Sequence, residues 1–177
     1  MPVRDATEDD AGACAAIYAP YVTDTAITFE YEPPSAAEMA RRIASAQRAH
    51  AWLVLEDSAD VGGSRVVGYA YASPFKERAA YRWSCEVSVY LEAGRHRSGS
   101  GQQLYEALFA RLAERGFRRL VAVMTLPNDA SEGLHRALGF EPVGTFRRVG
   151  WKHGQWRDVA WAKRSIGPDG DPPADPG

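Results

Sequence analysis

The fold of this chain is decided by residues 86–101, Glu-Val-Ser-Val-Tyr-Leu-Glu-Ala-Gly-Arg-His-Arg-Ser-Gly-Ser-Gly. An acidic residue precedes an apolar run that predicts a β-strand, and a basic loop with a Gly-x-Gly pattern leads into an amphipathic helix. This order brings backbone N–H groups and the positive end of a helix dipole to the C-terminal end of a strand. Glycine lets a phosphate approach such a backbone closely. The stretch therefore predicts a pyrophosphate site, and Glu86 suggests a general base beside a nucleotide-type cofactor.

Length and composition indicate one globular domain. The chain has 177 residues, of which 45% are hydrophobic and 11% aromatic, enough for a sizeable core. The formal net charge is −2, and no run of Lys and Arg is long enough for a nucleic-acid-binding arm. Residues 167–177 are almost all Gly, Pro and Asp. We expect a single domain over residues 1–166 and a disordered tail over residues 167–177.

The cysteines and the N-terminus indicate a cellular compartment. Cys14 and Cys85 have no metal-ligand spacing, and a small secreted domain would carry more cysteines. The first residues lack an apolar signal region, and no stretch is long enough to cross a membrane. We expect a soluble cytoplasmic protein that binds no metal, no membrane and no nucleic acid.

Capping residues and apolar periodicity predict a chain of mixed α and β structure. The strand from residue 86 and the strand after the long helix form a right-handed crossover of parallel neighbours, while hairpin signals elsewhere make the sheet mixed. The predicted strands are Val3–Ala6, Trp52–Glu56, Arg65–Ser73, Ser84–Leu91, Leu120–Leu126, Val143–Val149 and Arg157–Lys163. The predicted helices run from Thr7 to about Thr23, from Ser35 to about Arg48, over Gly101–Arg115 and over about Ala130–Leu138.

Six segments in this order resemble the GNAT acetyltransferases, and within that superfamily the phosphinothricin N-acetyltransferases. The resemblance covers about residues 3–163. It rests on Phe29–Pro33, Tyr81–Tyr90, Arg95–Tyr105, Leu126–Ser131, Leu134–Phe140 and Gly150–Asp158.

The resemblance implies an α/β (α+β) GNAT fold, with a mixed central sheet flanked by helices and a strand–pyrophosphate loop–helix motif. It also implies a homodimer that moves acetyl from acetyl-coenzyme A (acetyl-CoA) to the amino group of a small amino acid. Phosphinothricin and methionine sulfoximine are acceptors of this kind. The biological role it implies is antibiotic self-protection or general detoxification.

The same resemblance assigns a cofactor site. Asn128 is by itself an N-cap or turn residue, and in the family an Asn here contacts the cofactor. Ser131 lies one turn further along. The strand N–H groups near Val87 and Val89 would polarise the thioester carbonyl. The implied cofactor-binding residues are Val87, Ser88, Val89, Arg97, Ser98, Gly99, Ser100, Gly101, Gln102, Asn128 and Ser131.

Two side chains are candidates for proton transfer. Attack on a thioester needs an uncharged amine, and the glutamate that matches Glu86 is regarded as the family's general base. The alternative is a strand glutamate that faces solvent or pairs with Arg82. His135 is either a satisfied structural residue or an auxiliary base or proton relay.

Tyr105 is either a core residue or a neighbour of the thiolate leaving group. Cys85 is interpreted as a structural thiol.

The acceptor pocket calls for cations and an apolar wall. The alternative is that residues 76–82 form an ordinary solvated charged loop. Some family members carry a basic residue in the stretch where this chain has Glu30 and Glu32, which argues against tight binding of phosphinothricin itself and leaves room for a related amino acid or an amine. The candidate acceptor-binding residues are Phe29, Lys76, Arg78, Arg82 and Trp83, with Tyr31 and Tyr81 as further aromatic walls.

Two other functions remain open at this point. One is a GNAT enzyme that acts on a peptide N-terminus, a lysine or a polyamine. The other is a non-catalytic acyl-CoA-binding module, which the presence of Glu86 disfavours.

Overall fold

The computed structural model describes residues 1–59, 63–95, 98–168 and 170. Its strands are β1 Val3–Asp5, β2 Trp52–Ala59, β3 Gly63–Pro74, β4 Ser84–Leu91, β5 Arg119–Thr125, β6 Glu141–Lys152 and β7 Gln155–Ser165. Its α-helices are α1 Ala11–Thr23, α2 Ala36–Ala49, α3 Ser100–Glu114 and α4 Asp129–Ala137. Short 3-10 helices at Glu8–Asp10 and Ala79–Tyr81 complete the described elements.

All the strands form one seven-stranded sheet in the order β1-β2-β3-β4-β5-β7-β6. Among the described strands only the central pair, β4 and β5, is parallel, and every other neighbouring pair is antiparallel. Helix α3 connects the two parallel strands, so the predicted crossover and the predicted mixed sheet are both confirmed.

The sheet separates two hydrophobic clusters. Leucines of α3 pack on one face with residues such as Val87, while α1 and α2 pack on the other face against Trp52 and Tyr69. Because successive side chains of a strand point to opposite faces, neighbouring β4 residues belong to different clusters. Val87 lies on the α3 face, and Glu86 therefore lies on the α1/α2 face.

The parallel pairing between β4 and β5 is short. It joins Ser84–Glu86 to Arg119–Val121 and then stops. Beyond that point β4 stays paired with β3 as far as Leu91, and β5 stays paired with β7 as far as Thr125. The two halves of the sheet therefore separate, and a wedge opens between the C-terminal ends of β4 and β5.

The element boundaries follow the sequence signals closely. Strand β4 has the predicted bounds, and Ser35 caps α2 by accepting a hydrogen bond from the Glu38 N–H at 3.1 Å. The largest difference is β6, which extends beyond the predicted Val143–Val149 at both ends. Its register with β7 shifts between Pro142 and Gly144 and again between Phe146 and Gly150, so the pairing continues past residues that locally interrupt a strand. Residues 169 and 171–177 of the expected tail lie outside the described residues. No helix in the described part of the chain is long and apolar enough to cross a membrane.

An ion-pair cluster fixes the start of α1. Both oxygens of the Asp10 carboxylate accept from the Arg4 guanidinium, at 2.7 and 2.8 Å, and one also accepts from the Thr7 N–H at 2.8 Å. The hydrogen bonds from Arg4 lower the pKa of Asp10. A lowered pKa in the folded state stabilises the fold above the unfolded pKa of about 3.9, and this stability is lost as the pH falls through the folded value.

We therefore expect Asp10→Asn to reduce the free energy of unfolding at pH 7 by about 1–3 kcal/mol. The difference from the parent should shrink below about pH 4, where the parent's carboxylate also loses its charge. Urea unfolding at pH 7 and pH 3 measures both effects. The exposed Asp9→Asn is the matched control, and equal losses in the two variants would contradict this account.

Candidate active site

The C-terminal half of β4 turns backbone donors toward the wedge. The C=O of Leu91 accepts from the Tyr21 hydroxyl at 2.7 Å, whereas the N–H of Glu92 donates to β3. Backbone groups of successive residues alternate in direction along a strand. The N–H groups of Val87 and Val89 therefore face the same side as Leu91, where β5 has moved away. These are the two donors that the sequence assigned to the thioester carbonyl.

A cavity of about 440 Å³ occupies the mouth of the wedge. Its walls come from the end of β4, the N-terminus of α3 and the first turns of α4. The cavity brings together six residues that the sequence assigned to the cofactor: Val89, Gly99, Gly101, Gln102, Asn128 and Ser131. We call it the cofactor cavity.

The pyrophosphate loop ends in a left-handed glycine. Gly99 is the N-cap of α3 with φ of 82°, a conformation that favours glycine. The N–H groups of the first helical turn have no intrahelical acceptor, so those of Gly101 and Gln102 are available to a phosphate at the cavity wall. The hydroxyls of Ser98 and Ser100 hydrogen-bond to each other at 2.7 Å. The residues present therefore fit a pyrophosphate bound by backbone groups.

The remaining cofactor predictions have different outcomes. Ser100 is buried, and its hydroxyl is engaged by Ser98. The Val87 side chain lies in the core, so only its backbone can face the wedge. Ser88 has its side chain on the α1/α2 face of β4, away from Val87 and Val89. Arg97 lies outside the described residues.

Asn128 caps a helix and also lies at the cofactor cavity. Its Oδ1 accepts from the Ser131 N–H at 3.1 Å, which makes it the N-cap of α4. Both residues also line the cofactor cavity. Capping the helix therefore holds these two side chains at the cavity wall.

His135 is buried and held by two hydrogen bonds. Its Nδ1 lies 2.8 Å from the Ser131 C=O, and its Nε2 lies 3.2 Å from the Tyr105 hydroxyl. Because a carbonyl only accepts, Nδ1 carries the proton and Nε2 accepts from Tyr105. Burial lowers the pKa of His135, which keeps the ring neutral. This geometry favours the structural alternative for His135.

Glu86 lies half-buried on the opposite face of β4 from Val87. Burial raises the pKa of its carboxyl, and the positive charge of Lys76 opposes the rise. Within the part of the chain that the structure describes, the carboxylate forms no hydrogen bond and no ion pair. This is an unusual state for a half-buried acid, and it leaves the group available to accept a proton.

Of the candidate acceptor residues, Lys76 is the one whose charge acts on this carboxylate in the described part of the chain. Lys76 follows the end of β3, with its Nζ 5.4 Å from the centre of the Phe75 ring and close enough to Glu86 to affect its pKa. The Arg82 guanidinium lies over the Trp83 ring, 5.4 Å from its centre. Arg78 is exposed and precedes the 3-10 helix at Ala79–Tyr81. The Phe29 ring lies against Gly150 of β6.

Sequence reasoning missed a second cavity beside Glu86. About 340 Å³ lies between α2 and the end of β3, lined by Arg42, Tyr71 and Ser73 among others. Ser73 is the β3 partner of Glu86 in the sheet register, so the cavity begins next to the carboxylate. Tyr71 lies two residues before Ser73 on the same face of β3, and this spacing was the sequence signal that could have indicated the cavity. Arg42 lies on α2 and reaches the cavity only through tertiary packing.

The two cysteines are free and buried, and burial raises the pKa of each thiol to about 12. Both are therefore uncharged at neutral pH, as expected of structural thiols. No group of three or more His, Cys, Asp or Glu side chains that could hold a metal ion is found among the described residues.

Comparison with known proteins identifies the family. A family model described as "Acetyltransferase (GNAT) domain" matches residues 3–161. The phosphinothricin N-acetyltransferase of Streptomyces viridochromogenes is 39% identical over 166 residues, which cover 94% of this chain and 88% of that protein. The L-methionine sulfoximine/L-methionine sulfone acetyltransferase of Pseudomonas paraeruginosa is 34% identical over 167 residues, covering 94% of this chain and 95% of that protein.

A solved structure agrees with these relatives. The phosphinothricin acetyltransferase of Sinorhizobium meliloti in complex with acetyl-CoA superposes with a TM-score of 0.89 at 37% identity, over 98% of this chain and 93% of that chain. The chain therefore belongs to the GNAT acetyltransferases. It is an acetyl-CoA-dependent N-acetyltransferase, as its resemblance to the phosphinothricin N-acetyltransferases predicts.

The cofactor cavity provides a direct test of this assignment. A Cβ on Gly101 would lie 3.2 Å from the Leu134 side chain and 3.8 Å from that of Leu91, both of which line the cavity. Gly101→Val should therefore push these walls and weaken acetyl-CoA binding about tenfold or more, as measured by calorimetry. Gly12→Val, where a Cβ meets nothing within 4 Å, is the control. Unchanged affinity in a folded Gly101→Val protein would place the cofactor elsewhere.

Proposed function

We propose that this enzyme acetylates the amino group of a small amino acid such as phosphinothricin or methionine sulfoximine, with Glu86 as the general base. The observation that carries the proposal is the half-buried Glu86 carboxylate, which has no hydrogen-bond or ion-pair partner among the described residues and lies on the strand that also presents the Val87 and Val89 N–H groups. The names of the relatives support the acceptor class.

The environment of Glu86 suits a base. An amino acid arrives at neutral pH as an ammonium ion, which has no lone pair and cannot attack the thioester. Burial raises the pKa of Glu86 and so makes its carboxylate a stronger proton acceptor, while the positive charge of the nearby Lys76 opposes the rise. The carboxylate takes the ammonium proton directly or through one water.

The wedge provides the electrostatic part of the reaction. The N–H groups of Val87 and Val89 are fixed by β4 and face the space where the thioester carbonyl would lie. Negative charge develops on that oxygen during attack, and fixed donors stabilise it without reorganisation. Glu86 and these donors lie within four residues of one strand, so a single rigid element aligns both.

His135 acts in this proposal through Tyr105. The neutral ring accepts the Tyr105 hydroxyl hydrogen, and that hydroxyl oxygen lies 3.4 Å from the C=O of Val87. Burial raises the pKa of Tyr105, so the hydroxyl keeps its proton. We propose that the pair packs against β4 at Val87 as a structural support, instead of serving as an acid or base.

The acidic residues near Phe29 are compatible with an anionic acceptor. Arg42 Nη1 donates to the Glu30 carboxylate at 2.7 Å. The charge of Glu30 is therefore neutralised by Arg42, which also donates to the Glu38 carboxylate at 3.1 Å and lines the second cavity. We propose that the acceptor lies between this cavity, Phe29 and Trp83, with Lys76, Arg78 and Arg82 providing further positive charge for its carboxylate.

The acceptor panel tests this function. Release of the CoA thiol is measured with phosphinothricin, methionine sulfoximine, glutamate, a polyamine and a peptide as separate acceptors. Turnover with the first two alone is the expected result. Turnover only with the peptide or the polyamine would overturn the acceptor class, and acetyl-CoA binding without any turnover would favour the non-catalytic alternative.

Glu86→Gln should keep acetyl-CoA binding and lower the rate about 10²-fold or more near neutral pH. The parent's rate should rise with pH as Glu86 ionises, above the ordinary glutamate pKa of about 4.3, and the variant should lack this step. Because burial disfavours the ionised carboxylate in the folded state, the variant should also melt at the same or a higher temperature at pH 7. A variant that retained the parent's pH–rate profile would exclude Glu86 as the base.

We also propose that the enzyme is a homodimer that works in the cytoplasm. The edge strand β6 exposes Val143, Phe146, Val149 and Trp151, and such an apolar edge is typical of a protein interface. Val143→Glu should produce a monomer in light scattering without lowering the melting temperature. A parent protein that is monomeric at all concentrations would contradict the dimer.

A further inference from the structure

Residues 25–32, which we call the acceptor loop, cross the mouth of the wedge. Ile27 lines the cofactor cavity, and its C=O accepts from the Thr125 hydroxyl at the end of β5 at 3.5 Å. Two residues further along is Phe29. The backbone that forms one wall of the cofactor cavity therefore also carries the aromatic side chain proposed for the acceptor.

This loop is held by the end of the β6–β7 hairpin. We call residues 150–155, which comprise the last residues of β6, the turn and the first residue of β7, the hairpin tip. Lys152 Nζ donates to the C=O of Thr28 at 2.7 Å, and His153 Nε2 donates to the C=O of Thr25 at 3.0 Å. The Tyr31 hydroxyl donates in turn to the C=O of Trp151. These contacts join residues 120 or more positions apart, and they attach the loop at its start, middle and end.

Lys152 is an unusual residue for this task because it is 2% exposed. Its Nζ also donates to the C=O of Val22 at 2.7 Å, in the last turn of α1. That carbonyl has no intrahelical partner, and the negative end of the helix dipole favours a cation there. Burial lowers the pKa of the amine. Burying an amine is energetically unfavourable. Here the buried amine connects α1, the acceptor loop and the hairpin tip.

Gly150 leaves the space in which the Phe29 side chain of the acceptor loop lies. A Cβ built on Gly150 would lie 2.1 Å from Cε2 and 2.3 Å from Cζ of Phe29, so the ring occupies the space that a side chain would need. On the same strand, a Cβ on Gly144 would meet nothing within 4 Å. Only one of these two β6 glycines is therefore required by a neighbouring side chain.

We propose that the hairpin tip sets the acceptor specificity of this enzyme: Gly150 determines where the Phe29 ring lies, and Lys152 fixes the loop backbone behind it. Both are positioning residues, since they act on the acceptor through Phe29. The inference rests on the proposed function, because it takes Phe29 as an acceptor contact. A displaced ring changes the shape of the acceptor pocket and leaves the pyrophosphate loop on the far side of the wedge untouched.

The first experiment compares Gly150→Ala with Gly144→Ala, using methionine sulfoximine or whichever acceptor the panel identifies. Gly150→Ala should raise the KM for the acceptor about tenfold or more and change the KM for acetyl-CoA less than twofold. Gly144→Ala should behave as the parent in both, with the oligomeric state checked for each variant. Equal behaviour of the two glycine variants, or an equal rise in both KM values, would overturn the inference.

A double-mutant cycle identifies the cause. Phe29→Ala removes the ring that Gly150→Ala would displace, so in the Phe29→Ala background the second substitution should have no further effect on the acceptor KM. Additive effects would show that Gly150 acts by another route.

Hydrogen exchange provides a readout that does not depend on any acceptor. Lys152→Met should raise amide exchange across residues 25–32 about tenfold or more, with the exposed Lys163→Met as the control and Lys152→Arg restoring protection in part. Unchanged exchange in a folded Lys152→Met protein would overturn the inference. A failed acceptor panel with the expected exchange result would instead count against the proposed function alone.

Discussion

The early end of the β4–β5 ladder is the constraint on which the site depends. Three residue pairs join the strands, and the last of them is Glu86 with Val121. The ladder therefore ends at the proposed base, and the next N–H groups on that edge, those of Val87 and Val89, lose their strand partner and become available to a substrate. The early end of the β4–β5 pairing thus opens the cavity, leaves the Val87 and Val89 N–H groups without a strand partner, and places Glu86 beside them.

Such an interruption costs stability, and the structure recovers some of it nearby. An unpaired backbone group buried away from water is unfavourable. At the end of β4 the Tyr21 hydroxyl takes the place of the missing strand by accepting from the N–H of Leu91 and donating to its C=O. Among the described residues Glu86 has no such partner, and burial raises its pKa. The carboxylate proposed to accept the proton is therefore kept in an unfavourable environment, which is the pattern expected of a catalytic group.

Sequence reasoning recovered what is encoded locally. The bounds of β4, the caps at Ser35 and Asn128 and the glycine before α3 depend on residues within a few positions, so propensity and spacing predict them. It did not predict the Arg42–Glu30 ion pair, the hydrogen bond between Tyr105 and His135, or the buried amine of Lys152. Each of these joins distant parts of the chain. Only the folded arrangement shows which partner a polar side chain meets.

This division between local and distant contacts also separates the two sides of the wedge. The cofactor side consists of helix caps and a glycine turn, which form wherever their short motifs occur. The proposed acceptor side is assembled from α1, α2, the acceptor loop and the hairpin tip, and no short motif fixes their relation. A substitution in any of these elements can reshape the acceptor side while the pyrophosphate loop stays as it is. The family model accordingly identifies the chain as an acetyltransferase over residues 3–161, whereas the acceptor choice proposed above depends on long-range packing in the individual chain.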